Sequence, residues 1–150
     1  MNNSKYIVDN IASHYDIFVS SDGSISPANF LRIVEADISI MFNNESVTFF
    51  GVPIVDLLTG VLSEVFRPRL DSKGMMVQNV SVAGKIYDSI CIRSVSGEIA
   101  IYSDNLIILK VNPGDFIRNI YSAMNYICEM LKLRDMHREE HMLRIFFALN

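Results

Sequence analysis

Apolar residues recur at helical spacing between Ile54 and Val65: Ile54, Leu57, Leu58, Val61, Leu62 and Val65 form one broad stripe. Asp56, Thr59, Ser63 and Glu64 fall on the water side. Just upstream a strand is expected to close at Gly51, and Pro53 suits a first helical position, where its missing N–H costs nothing. Before that, the period changes from helical to twofold. Ile38, Ile40 and Phe42 alternate with Asp37, Ser39 and Met41, and Val47 and Phe49 alternate with Ser46 and Thr48. A two-residue turn at Asn43-Asn44 would set Ile40 opposite Val47 and Ile38 opposite Phe49, with both apolar sets on one face. The pattern predicts a hairpin that feeds directly into the central helix.

The flanking segments follow the same logic. Residues 4–15 read as a first helix with Ile7, Ile11 and Tyr15 inward, Ile17-Phe18-Val19 as extended chain, and Ser21-Asp22-Gly23-Ser24 as a turn. Residues 27–36 read both ways: Ser26-Pro27 could cap a helix presenting Phe30, Leu31 and Val34, yet Leu31 and Ile33 alternate like a strand. Arg67-Pro68-Arg69 should end the central helix, and Asp71-Ser72-Lys73-Gly74 should be loop. Met75 to Val82 predicts a strand with a turn at Gly84-Lys85. Tyr87–Ser94 and Glu98–Ser103 predict a hairpin turning at Ser96-Gly97, with Ile92 opposite Ile101 and Ser94 opposite Ile99. A second tight turn at Asp104-Asn105 leads to Leu106-Ile107-Ile108-Leu109, apolar on both faces and expected to be covered on both sides by helices. Asn112-Pro113-Gly114-Asp115 carries the cap, proline and acid of a helix start. Phe116, Ile117, Ile120, Met124, Ile127 and Leu131 then form an inward stripe. The period fails from Arg134 to Arg138, which predicts a break before a terminal helix with Met142, Ile145, Phe146 and Leu149 inward. The sum is one α+β domain over 1–150: an antiparallel sheet, made of an N-terminal hairpin and a C-terminal meander, packed with a central amphipathic helix and a long C-terminal helix.

Composition narrows the class. Half of the 150 residues are apolar and a fifth are charged, which suits a folded domain and excludes general disorder. No apolar run reaches the length needed to span a bilayer, and Met1 to Asp9 shows no basic-then-apolar leader. The two cysteines, Cys91 and Cys128, lie far apart without metal-site spacing, so a reduced, cytoplasmic protein is expected. Residues 1–66 hold two basic groups against eight acids, a net −6; since the whole chain is −4, the remainder is +2. Such an acidic half argues against nucleic acid, which needs clustered Lys and Arg, and suits a basic protein partner; ordinary solvation explains it at least as well.

Candidate chemistry is sparse. His137-Arg138-Glu139-Glu140-His141 matches the inverted zinc-peptidase pattern, with His137 and His141 one turn apart and Glu140 beside them as the base. Only nine residues follow His141, and none is Asp, Glu, His or Cys, so a third ligand downstream is missing; Glu140 and Arg144 read instead as an ordinary i,i+4 pair. Cys91 and Cys128 sit beside isoleucines and read as small apolar fillers, and His14 as a dipole partner at a helix C-terminus. No phosphate-binding glycine loop is present, so nucleotide binding has no support; with the third zinc ligand also missing, neither a cofactor nor a metal is expected. Tyr87, Tyr102, Tyr121 and Tyr126 suit either an interface or the edge of a core.

The stretch Phe49-Phe50-Gly51-Val52-Pro53-Ile54-Val55-Asp56-Leu57-Leu58, a strand closing on aromatics and stepping through Gly and Pro into a Leu-rich helix, resembles small bacterial immunity proteins, including those of contact-dependent growth inhibition. The likeness of layout covers residues 37–132 and contains no diagnostic motif. It implies a non-catalytic, antitoxin-like protein that binds and neutralises one cognate toxin, a basic nuclease being the class that an acidic face would match. The contact groups expected on that reading are Glu35, Asp37, Glu45, Asp56 and Glu64. A dimeric scaffold or secretion-chaperone-like protein, assembling through the meander and Ile145-Phe146-Phe147, is the second reading, and a zinc hydrolase the third.

Overall fold

Among the described residues, seven strands in unbroken chain order make a single antiparallel sheet, each strand paired with its neighbours in sequence. The computed structural model describes residues 6–42, 44–66 and 74–147. The strands are β1 (Tyr6–Ser13), β2 (Val34–Phe42), β3 (Glu45–Pro53), β4 (Met75–Val82), β5 (Lys85–Val95), β6 (Glu98–Ser103) and β7 (Leu106–Val111). Two single-turn helices, α1 (Tyr15–Phe18) and α2 (Pro27–Phe30), link β1 to β2. The central helix α3 (Ile54–Phe66) separates β3 from β4, and α4 (Pro113–Leu133) and α5 (His137–Phe147) close the chain. Among the described residues, no helix is long and apolar enough to cross a membrane.

Twofold alternation builds both principal hairpins where the sequence placed them. Ile40 pairs with Val47 and Ile38 with Phe49, and all four are buried. Ile92 pairs with Ile101 and Ser94 with Ile99. Three of the connections are two-residue turns with both central residues at positive φ: Ala83-Gly84, Ser96-Gly97 and Asp104-Asn105. That geometry matches the twist of the flanking strands and fixes their register. The first of these falls one residue before the expected Gly84-Lys85, because Val82 pairs with Lys85.

One face of the sheet holds the core. From α3, Ile54, Val55, Leu57, Leu58 and Val61 are buried against it, with Leu62 and Val65 half-buried at the margin. From α4, Phe116, Ile120, Met124, Ile127 and Leu131 face the same way, with Ile117 at the rim. Phe116 stacks on Phe42 at 5.5 Å and meets Phe49 edge-on at 6.5 Å, which locks the start of α4 over the β2–β3 hairpin. Asn112 caps α4, its side-chain oxygen accepting from the Asp115 N–H. Buried residues from Val8 to Leu143 form one continuous core cluster.

Several expectations are corrected. Residues 6–13 are a strand, not the inner part of a helix over 4–15. Asn10 has φ of +53°, which no helix accommodates, and pairing with β2 outweighs the local helical spacing. Residues 4 and 5 lie outside the described residues, as do Asn43, the Arg67-Pro68-Arg69 and Asp71-Ser72-Lys73 segments, and Leu149. Ile17-Phe18 belongs to α1 rather than to extended chain. The ambiguous 27–36 segment divides: Ser26 caps α2 through the Asn29 N–H, and strand begins at Val34. Strand β3 does not close at Gly51 but bulges there and runs on through Pro53. Strand β7 is not covered on both sides: it is the sheet's edge, with Leu106 70% and Ile107 45% exposed. In α5, Glu139 and Leu143 turn inward, whereas Ile145 and Phe146 are 66% and 50% exposed.

Candidate functional site

The face of the sheet away from the helices is lined by the alternate residues of each strand. Ile7, Asp9 and Ala12 come from β1, Glu35, Asp37, Ser39 and Met41 from β2, and Ser46, Thr48 and Phe50 from β3. Ser81, Met76, Ile86, Cys91, Arg93 and Tyr102 continue it across β4, β5 and β6. Its middle is polar and small, with the Ser39 and Thr48 hydroxyls 2.8 Å apart. Around that middle, Ile7, Met41, Phe50, Met76 and Ile86 are large, apolar and exposed.

Charge on this face is polarised. Asp9 lies directly across from Asp37, with Glu35 two residues along β2, so three carboxylates gather at one corner. Arg93 and Lys110 lie towards the other edge, with Arg93 held over the Tyr102 ring at 5.6 Å. Of the acids expected as contact groups, the fold brings Glu35 and Asp37 together and adds Asp9. Glu45 begins β3 at the far end of the hairpin, opposite Phe42, and Asp56 and Glu64 ride on α3 in the helical layer. Sequence reasoning included Asp9 in the charge balance but missed it as a neighbour of Asp37. A strand reading of 6–13 would have supplied that neighbour.

The acids also do structural work. Asp37 accepts from the Gly51 N–H at 2.7 Å with one carboxylate oxygen and from the Asn10 amide at 2.7 Å with the other. Glu35 lies 3.4 Å from His14 Nε2, an atom that is buried without a hydrogen-bond partner among the described residues. The distance permits an ion pair once the imidazole is protonated, but the hydrogen-bond geometry is not met. His14 precedes α1, so the expected role at a helix C-terminus is not available to it.

The remaining candidate groups are dispersed. His137 lies 3.4 Å from Asp135, while Glu140 is held at 3.0 Å by Arg144, which also reaches Glu129 at 2.7 Å. Among the described residues, no three His, Cys, Asp or Glu side chains come together as a metal-binding group. Burial raises the Cys128 thiol to about 11, and burial likewise raises Cys91. Cys128 is buried and free. The four tyrosines form no shared patch: Tyr126 meets Tyr6, Tyr121 rests on the core, Tyr87 lies under Lys85, and Tyr102 under Arg93. An apolar groove of about 590 Å3 runs between α2 and α5, lined by Phe30, Leu31, His141, Met142, Ile145 and Phe146. Comparison with known proteins finds no matching family model, no matching curated protein and no matching solved structure.

Proposed function

We propose that this chain is a non-catalytic binding protein of the antitoxin kind, which neutralises a cognate protein toxin by covering it with the open face of its sheet. The observation that carries this reading is that face itself: among the described residues it is seven strands wide with no helix on it, ringed by Ile7, Met41, Phe50, Met76 and Ile86, and acidic at the corner of Asp9, Glu35 and Asp37. Acids at one corner favour a partner with basic groups there, and a nuclease is the toxin class whose substrate-binding surface supplies them. A reducing cytoplasm fits the buried Cys128 thiol. The resemblance of residues 49–58 to immunity proteins points the same way.

The test is calorimetric binding to the product of the adjacent reading frame, where an immunity protein's toxin is encoded. Met41→Arg and Ile86→Arg on the open face should each weaken binding at least tenfold, because buried anchors dominate interface energy. Asp9→Lys should slow association and flatten its salt dependence. Lys132→Glu on α4 should change neither. An affinity that ignores all three open-face variants would remove this surface from the reading, and no affinity at all would remove the toxin.

A further inference from the structure

The two edges of the sheet are not alike. Strand β1 is guarded: it bulges between Asp9 and Ala12, and it carries Asp9 and Asn10 on its exposed rim. Bulges and charges of this sort keep an edge from pairing with another chain. Strand β7 carries a one-residue irregularity opposite Ile101 and Tyr102, but no charge between Asp104 and Lys110. Its intervening residues are Asn105, Leu106, Ile107, Ile108 and Leu109, with Leu106 and Ile107 open to solvent. A strand apolar on both faces belongs inside a sheet, and here nothing in the described fold continues that sheet beyond it.

The ends of β7 indicate what would continue it. Asp104 stands at its N-terminal turn and Lys110 near its C-terminal end, both exposed. Two copies of β7 paired antiparallel about a twofold axis set the Asp104 end of each beside the Lys110 end of the other, making the same opposite-charge contact twice. A parallel pairing would set like charges together. We infer that β7 is the contact strand of a symmetric homodimer, in which two copies join edge to edge into one continuous fourteen-strand sheet. The contact is the backbone edge of β7, although Lys110 and Ile107 also border the open face beside Arg93 and Tyr102, and the inference does not rest on the toxin-binding reading.

Sedimentation velocity across a wide concentration range tests it on the full chain. The wild type should pass from monomer to dimer as concentration rises. Asp104→Lys and Lys110→Asp should each weaken the dimer roughly tenfold, since each replaces two attractive cross-strand contacts with two repulsive ones. The double variant, with both charges exchanged, should return to wild-type affinity. Ile107→Lys should abolish the dimer, and circular dichroism of the monomer should be unchanged, because all three side chains are exposed. A wild type that stays monomeric throughout overturns the inference. So does a dimer indifferent to the single charge changes, or one that the double exchange fails to restore.

Discussion

Asp37 ties together irregularities in both strands that flank it. On one side, β1 bulges near Asn10, whose φ is +53°; on the other, β3 bulges at Gly51, whose φ is +59°. Each costs conformational energy, least at Gly51, where no Cβ is present to clash. The two carboxylate oxygens recover some of it by accepting one hydrogen bond from each bulge. Asp37→Ala should therefore destabilise the fold by about 2 kcal/mol, through loss of two charge-assisted bonds. Urea unfolding would register this as a lower midpoint at constant slope. Cys128 gives a second expectation. Its folded pKa, about 11, lies above the ordinary value of 9.0, so the fold favours the neutral thiol. That contribution is fully present below pH 9 and is lost as pH rises towards 11. The wild type should lose stability across this window, and Cys128→Ala should show a shallower alkaline decline; equal slopes would remove Cys128 as the cause.

Helix α5 depends on two inward residues one turn apart. Leu143 is fully buried, and Glu139, nearly as buried, accepts a 2.9 Å hydrogen bond from Ser13 in β1. Leu143→Ala should cost 2–4 kcal/mol by leaving a cavity, whereas Ile145→Ala, largely exposed, should cost under about 0.5 kcal/mol, as thermal melts would show. This reverses the order that helical spacing alone suggests. The apolar count of α5 pointed to Met142, Ile145 and Phe146, but Phe146 packs against Phe30 of α2 at 4.9 Å and lines the groove there. Periodicity located helices α3 and α4 because each is long and its stripe is wide enough to survive local exceptions. It located both principal hairpins because their turns and alternation agreed. It failed at β1, where Ile7 and Ile11 fit a helical period but the bulge at Asn10 resets the strand's facing. It failed again at β7, where a two-faced apolar run is compatible with an interior strand and with an unguarded edge. The acidic corner was only half legible, since Asp9 and Asp37 become neighbours through pairing across 28 positions of sequence. Asn112→Ala, at a position that composition did reveal, should cost about 1 kcal/mol of helix capping.

The molecule is two layers, one continuous core beneath the helices and one sheet face without them. A shared core without an internal boundary should unfold as a unit. Far-ultraviolet dichroism and tyrosine fluorescence should therefore follow a single urea transition with coincident midpoints, and separated midpoints would divide the chain into two units. The strand order runs from 1 to 7 without a crossover, so most of the sheet can form from neighbouring segments. Its first strand is the exception, because Ser13 is held by Glu139 from the last helix. For a chain still emerging from the ribosome, that clasp arrives last. Helix α4, which also packs on β1, emerges only shortly before it, so a nascent chain with α4 still inside the ribosomal tunnel has β1 pinned by β2 alone and should yield residues 6–13 to protease while strands β2 to β6 already resist.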